Sequence, residues 1–351
     1  MAPARQVEDG DNGRGPRFPT NLLYRGAWLY YKEDRTQAEI GELLGISRAT
    51  VSRLLTEARA RGVVYIEVRD PAAGELDSLG AALEERLGLA RVLVTPNAMG
   101  ARPGPVLAPS VATLLMEAHL KPGDALVIGS GATMLDISRE ELISLPGVLV
   151  VPSVGGQDEH EEYYQTNEVT RSLAVNAGAT PVLLHAPVLP SSEIYRSLQT
   201  DPGIKRVMSL WRRAQCALLG VGMPPRIRVS LPDVLRRTGA DLANVEGDIS
   251  NRTFDADGRP VPFEGFDRMF AMGFDDLRRV PHSIAVAVGA EKARGLVAAA
   301  RGGFINRLVT DSATAHAILE LPPGGVEAPS QRRKSGRGRL GTGEAMSARE
   351  S

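Results

Sequence analysis

Two arginines, Arg48 and Arg53, lie in the stretch TQAEIGELLGISRATVSRLL, Thr36 to Leu55. Guanidinium is a planar fork of donors that matches the acceptor edge of guanine, and small hydroxyls hold phosphate oxygens. With Val51, Leu54 and Leu55 turned inward at helical spacing, Arg48, Ala49, Ser52, Arg53 and Thr56 face outward. Ser47, Arg48, Ala49, Ser52 and Arg53 are therefore the expected contacts to double-stranded DNA, with Ser47 also suited to cap the helix. Between Ser47 and Gly62 four arginines stand against one glutamate, so charge is concentrated there although the whole chain carries a net charge of −1.

A second group of residues is scattered and milder. Gly129-Ser130-Gly131-Ala132-Thr133 follows the apolar run DALVI and precedes a helical pattern. Glycines let the backbone approach an anion, and the hydroxyls of Ser130 and Thr133 can hold a phosphate; a tight strand–helix turn explains the same residues. Gly155-Gly156-Gln157 ends another apolar run, and Gln157 and Asn167 suit the hydrogen bonding of hydroxyls. Asp248 after Gly247 is a candidate for sugar hydroxyls, while Asp255 and Asp257 read as turn residues. Lys292, after Gly289, sits at a helix start, where a bound anion would offset its unfavourable position on the dipole; a surface lysine is the plainer reading. His185 ends an apolar run and reads as a core histidine or a pocket residue. The acidic cluster around His160 lacks metal-ligand spacing and reads as an exposed polar loop. No catalytic triad, nucleotide loop, metal motif or cofactor signature is present.

These residues need elements to carry them. Thr36 and Glu39 form a capping box that opens a helix, Gly45 suits its left-handed end, and mid-helix Gly41 points to a tight crossing of the two helices. LLYRGAWLYYKED supplies a supporting first helix with aromatic anchors, and GVVYIEV the strand of a wing. Beyond Glu75, short β-branched runs (RVLVTP, DALVIGSG, GVLVVPSVGG, TPVLLHAP, AQCALLGVG, SIAVAVGA, INRLVTD) alternate with amphipathic helical stretches. Continuous rather than alternating apolar strands belong in a parallel sheet covered on both faces. The expected class is α/β. A winged helix-turn-helix at 21–70 follows a disordered arm at 1–20, a linker spans 71–74, a Rossmann-like, doubly wound α/β domain occupies 75–321, and a disordered basic tail 322–351. The length of 351 residues suits two domains, and a single cysteine, Cys216 in an apolar run, fits an inert buried thiol and a reducing cytoplasm. No apolar run approaches the roughly 18 residues of a membrane span.

In the order and spacing of these stretches, together with EGDISNRTFDADG and VPHSIAVAVGAEKARGLVAAARGGFINRLVTD, the chain resembles the SorC family of sugar-responsive bacterial transcriptional regulators over nearly all of residues 21–320. The resemblance implies an effector domain similar to sugar-phosphate isomerases, a phosphorylated sugar as effector, operator DNA as partner, and a homodimer or homotetramer. It implies that Ser130, Gly131 and Thr133 bind the phosphate, that Lys292 helps neutralise it, and that Gly156, Gln157 and Asp248 face the sugar. Ala132 fills a slot where the family often carries arginine, and Gly289-Ala290 replaces a glycine pair. Two other readings stay open. One is a phosphosugar isomerase or deaminase with a DNA-binding appendage, whose acid/base group would be Asp248 or His185. The other is an architectural DNA binder whose large domain only oligomerises.

Overall fold

The computed structural model describes residues 18–61, 63–64, 73–98, 102–157, 161–224 and 242–322. The chain divides into two compact units, residues 1–71 and 72–351, each described by itself. The expected arm up to residue 17, the wing strand past Val64, Pro71 and Ala72 of the linker, His160 and the tail beyond Pro322 lie outside the described residues.

The first unit holds helices α1 (Thr20–Tyr31), α2 (Gln37–Leu44) and α3 (Arg48–Ala60). Leu23 and Ala27 of α1, Ile40 of α2, and Val51, Leu54, Leu55 and Ala58 of α3 form one buried cluster. Burying each of the larger side chains stabilises the unit by roughly 1.5–3 kcal/mol. Thr20, expected in the arm, opens α1, and Phe18 packs against this cluster, because Arg61 at the end of α3 donates to Phe18 O (2.9 Å) and Thr20 Oγ1 (2.8 Å). The expected aromatic anchors of α1 are a different matter. Tyr24 and Trp28 are 57% and 46% exposed, and the helix buries Leu23, Gly26 and Ala27 instead.

Caps define the turn between α2 and α3. Glu39 N donates to Thr36 Oγ1 (3.3 Å), and Thr36 N donates back to Glu39 Oε2 (2.8 Å). Those bonds from the Thr36 backbone and hydroxyl hold the Glu39 carboxyl below its ordinary range. Its contribution is therefore present above the unfolded carboxyl's pKa and lost as pH falls through the lower folded value. Thr36→Ala should lower the stability of this unit by about 1 kcal/mol, read by urea denaturation near neutral pH. The deficit should shrink in acid, and a constant deficit would contradict the capping account. Gly45 ends α2 at φ 66°, and Ile46 N reaches back to Gly41 O (2.9 Å). A Cβ on Gly41 would lie 2.7 Å from Ile46 O. The glycine is thus required by the turn that folds back on it, rather than by the second helix.

In the second unit α4 (Ala73–Leu87) leads into β1 (Arg91–Thr95), α5 (Gly104–Glu117), β2 (Ala125–Ile128), α6 (Ala132–Ser138) and β3 (Leu149–Pro152). There follow α7 (Thr166–Asn176), β4 (Thr180–Pro181), α8 (Ser192–Leu198), α9 (Pro202–Arg212) and β5 (Cys216–Leu219). A hairpin of β6 (Gly247–Ile249) and β7 (Arg252–Phe254) precedes α10 (Phe274–Arg279), β8 (His282–Val286), α11 (Ala293–Arg301), β9 (Arg307–Asp311) and α12 (Ser312–Glu320). Ala73 and Gly74, expected in the linker, are already the first turn of α4.

Seven strands form one parallel sheet in the order β1-β9-β8-β5-β2-β3-β4. β2 and β5 are buried along their whole length. Two apolar clusters contain alternate residues of these strands: Ala125, Val127, Ala217 and Leu219 in one, Leu126, Ile128, Cys216 and Leu218 in the other. That is why the strands read as unbroken apolar runs. TPVLLHAP yields only two strand residues at the sheet edge, and His185, expected inside or at a pocket, is exposed. Cys216 is buried, which pushes its thiol up to about 12.

Chain order reverses between two neighbours of this sheet. From β2 the chain steps outward through β3 and β4; from β5 it steps outward the other way through β8 and β9. In such sheets ligands sit at the carboxyl ends of the two strands where the direction reverses.

Candidate functional site

Ser47 caps α3, its Oγ accepting from Thr50 N (3.1 Å). Arg48, Ala49, Ser52, Arg53 and Thr56 are all exposed on α3. Arg53 Nε donates along its own helix to Ala49 O (3.3 Å). Of the four arginines in this region, Arg61 is committed to Phe18, Thr20 and Glu57, while Arg48, Arg53 and Arg59 stand on the exposed side of α3. Arg48 also borders a cleft of about 790 Å³ that includes Tyr31, Arg35 and Gln37. The face is thus basic, short and backed by a rigid three-helix core, as entry into a major groove demands.

In the second unit the carboxyl ends of β2 and β5 lie side by side at the reversal point: Gly129 N, just past β2, donates to Leu218 O of β5 (2.9 Å). Ser130, Gly131 and Thr133 are half-buried at the start of α6, and Ala132 is exposed. Gly131 adopts φ 114°, which favours glycine, and its N–H donates to Tyr163 O (2.8 Å). That amide, expected to bind phosphate, is thus taken by the loop after β3.

Gln157 comes from that same loop and is buried. Its Nε2 donates to Ser130 Oγ (3.3 Å), and its Oε1 accepts from Asn251 Nδ2 (2.9 Å). Gly156, expected to face the sugar, spends its N–H on Ala186 O and its C=O on Val188 N, both at 2.8 Å. Its neighbour Gly155 is the sterically required residue: a Cβ there would lie 2.5 Å from Ala186 O. Asn167 does not reach a ligand position. Its amide brackets Leu184, donating to the carbonyl (3.1 Å) and accepting from the N–H (3.0 Å), and so ties α7 to the strand edge.

Asp248 is buried on β6, and its carbonyl accepts from Gly222 N (2.9 Å) just past β5. The hairpin is further clamped to α11 by Arg294, which forms a two-pronged bond to buried Glu246 (3.0 and 2.9 Å). Arg252 fixes the other side, donating to Met272 O, Phe266 O and Ala271 O, each at 3.0 Å. Such fork geometry suits arginine and not lysine. Lys292 is half-buried in a 3-10 turn, Ala290–Lys292, as the residue before α11 rather than inside its first turn.

Ser153, Ser250 and Asn251 are among the residues of this arrangement that escaped the sequence reading. Ser250 and Asn251 form the turn of the β6–β7 hairpin, both at positive φ (53° and 64°). Ser250 Oγ donates to buried Ser153 Oγ (2.6 Å) and Asn251 to Gln157. A two-residue Ser-Asn link between the short runs GDI and RTF was the available signal, since asparagine tolerates the left-handed conformation that such hairpin turns need.

Residues 72–320 match the sugar-binding domain family, and residues 28–61 match region 4 of sigma-70. The sorbitol operon regulator of Klebsiella pneumoniae is 30% identical over 321 residues, covering 85% of this chain and 98% of that one. The chain belongs to the SorC family. The deoxyribonucleoside regulator of Bacillus subtilis is 33% identical over 315 residues, covering 86% of this chain and 98% of that one. The crystal structure of full-length SorC from Klebsiella pneumoniae superposes with a TM-score of 0.60 at 29% identity, covering 86% of this chain and 99% of that one. This SorC-family chain is a DNA-binding transcriptional regulator controlled by a sugar effector. No described helix is long and apolar enough to cross a membrane.

Proposed function

We propose that the effector is a phosphorylated sugar bound at the carboxyl ends of β2, β5 and β8, and that its binding changes the affinity of a cytoplasmic homo-oligomer for operator DNA. The observation that carries this reading is the direct bonding of three loops at the reversal point of the sheet, through Ser130, Gln157 and Asn251. Ser130, Gly131 and Thr133 form the anion end. Gly131 contributes its open backbone, because its N–H is engaged by Tyr163. With Ala132 in the slot where arginine is frequent, Lys292 is the cation assigned to the phosphoryl group. Gly156, Gln157 and Asp248 line the sugar end, Gly156 by lacking a side chain. On the DNA side Arg48 and Arg53 read bases while Ser47, Ala49 and Ser52 border the backbone. Two copies would place two such helices on a paired half-site.

A receptor role, and not catalysis, is favoured by the placement of the acid/base candidates. His185 is exposed outside any strand, whereas Asp248 is buried on the hairpin. General acid/base work needs a side chain positioned within reach of the substrate, and exposed His185 is the weaker placed of the two.

The test is titration of the purified chain with pentose and hexose phosphates and with the parent sugars, alongside gel shifts on a duplex enriched by selection. Phosphorylated sugars should bind more tightly and alter the retained DNA, by linkage. Lys292→Met should cut phosphosugar affinity at least tenfold, in line with the weight of a charge-assisted bond, and leave the parent sugars nearly unchanged. Equal binding of a sugar and its phosphate would sink the assignment.

A further inference from the structure

The bonds across the site have a direction. Asn251 can only donate through Nδ2, and it donates to Gln157 Oε1 (2.9 Å). With its carbonyl end held, Gln157 must point its NH₂ at Ser130, and Nε2 donates to Ser130 Oγ (3.3 Å). A serine oxygen that is accepting keeps its own O–H to give away. The chain from Asn251 through Gln157 therefore ends in a donor at the glycine turn. Asn251 and Gln157 are only 6% and 9% exposed, so water competes little for these groups. Bonds running head to tail in such surroundings polarise one another in the same sense.

Two further facts place the turn that carries the Asn251 amide. Asn251 stands at φ 64° in a two-residue hairpin turn, where asparagine is among the few residues at ease. Its neighbour Ser250 donates to Ser153 Oγ (2.6 Å), seating the turn against the end of β3. The turn thus holds the Asn251 amide rigidly against the loop that carries Gln157.

We infer that Asn251 is a positioning residue for effector recognition: by setting the orientation of the Gln157 amide it makes Ser130 a hydrogen-bond donor toward an anionic oxygen of the bound sugar. The inference rests on the phosphosugar reading above and goes beyond it by assigning the selectivity for an anion to a residue that does not itself touch the anion. In Asn251→Asp the carboxylate cannot donate. Gln157 then turns its NH₂ toward residue 251, its Oε1 meets Ser130, and the Ser130 O–H is drawn inward.

The experiment is calorimetric titration with inorganic phosphate and with ribose 5-phosphate against ribose. Wild type, Asn251→Asp, Asn251→Gly, Ser130→Ala and the two doubles with Ser130→Ala are compared. Glycine keeps the positive φ of the turn while removing the amide, so Asn251→Gly separates loss of orientation from loss of the hairpin, and melting curves of the unliganded variants check that each is folded. Asn251→Asp should weaken both phosphate probes at least tenfold, Asn251→Gly less, and ribose, which loses only its contact with the turned Gln157 amide, by a smaller factor than ribose 5-phosphate. In the Ser130→Ala background Asn251→Gly should add nearly nothing, because the donor it orients is gone, whereas Asn251→Asp keeps the part of its loss that comes from charge repulsion. An additive loss in the Asn251→Gly double, or wild-type phosphate affinity in Asn251→Asp, would overturn the inference while leaving the phosphosugar reading in place. Failure of the wild type to bind either phosphate probe would overturn both.

Discussion

Arg48→Ala and Arg53→Ala should each weaken binding to a selected operator duplex by roughly 5- to 150-fold, the equivalent of about 1–3 kcal/mol for a lost two-pronged base contact. The double variant should fall to the level of nonspecific binding. The reasoning starts from commitment. Arg61 is tied to Phe18 and Thr20 and holds α1 on α3. Arg48 lies at the first position of α3, and among the described residues Arg53 reaches only its own helix. Arg61→Ala should therefore lower the melting temperature of the first unit, whereas the other two changes should leave it alone. Fluorescence anisotropy on the selected duplex and a scrambled one, at several salt concentrations, separates the roles. An arginine on a phosphate lowers the salt slope by about 0.9 and weakens both duplexes alike; one on a base mainly weakens the selected duplex. Wild-type affinity in both single variants would remove α3 as the reading helix.

Gly258→Ala should cost roughly 2–5 kcal/mol, the sum of about 1–2 for a left-handed backbone and about 1–3 for overpacking. Gly258 has φ 74°, and a Cβ there would lie 2.3 Å from Gly302 N and 2.6 Å from Ala298 O, backbone atoms at the end of α11 that cannot swing aside. The turn it belongs to is built by Asp255, whose Oδ1 accepts from Asp257 N (2.9 Å) and Arg259 N (2.8 Å). For a unit of this size the loss corresponds to a fall of roughly 4–20 °C in melting temperature. The turn continues directly from β7, so sugar binding should weaken as well. A melting curve superimposable on wild type would show that the turn can lift off α11 without cost.

Regularity made the first unit legible from its residues. Thr36, Glu39, Gly45 and Ser47 act locally, within a few positions of their partners, and their pattern is nearly sufficient to place two helices. The buried strands were equally plain, because a sheet covered on both faces leaves an unbroken apolar run. What stayed hidden was long-range. Nothing near Gly131 announces that its N–H will be taken by Tyr163, and nothing near Asn167 marks it as a bracket for Leu184. The role of Asn251 emerges only when the hairpin folds against a loop about 94 positions earlier in the chain. Tyr24 and Trp28 misled for the opposite reason. Large rings suggest burial, yet the approach of α1 to α3 is close enough that Leu23, Gly26 and Ala27 fill it.

Cys216, the one cysteine in the sequence, has a practical consequence. Thiolate is the reactive form, and burial that lifts the thiol to about 12 leaves almost none of it at neutral pH. Maleimide and other alkylating dyes will find the native chain nearly blank. A cysteine introduced at Ser52, on the exposed side of α3, would then be a unique attachment point. With a fluorophore there, the response of the first unit to a sugar can be followed without first deleting a native thiol from the core.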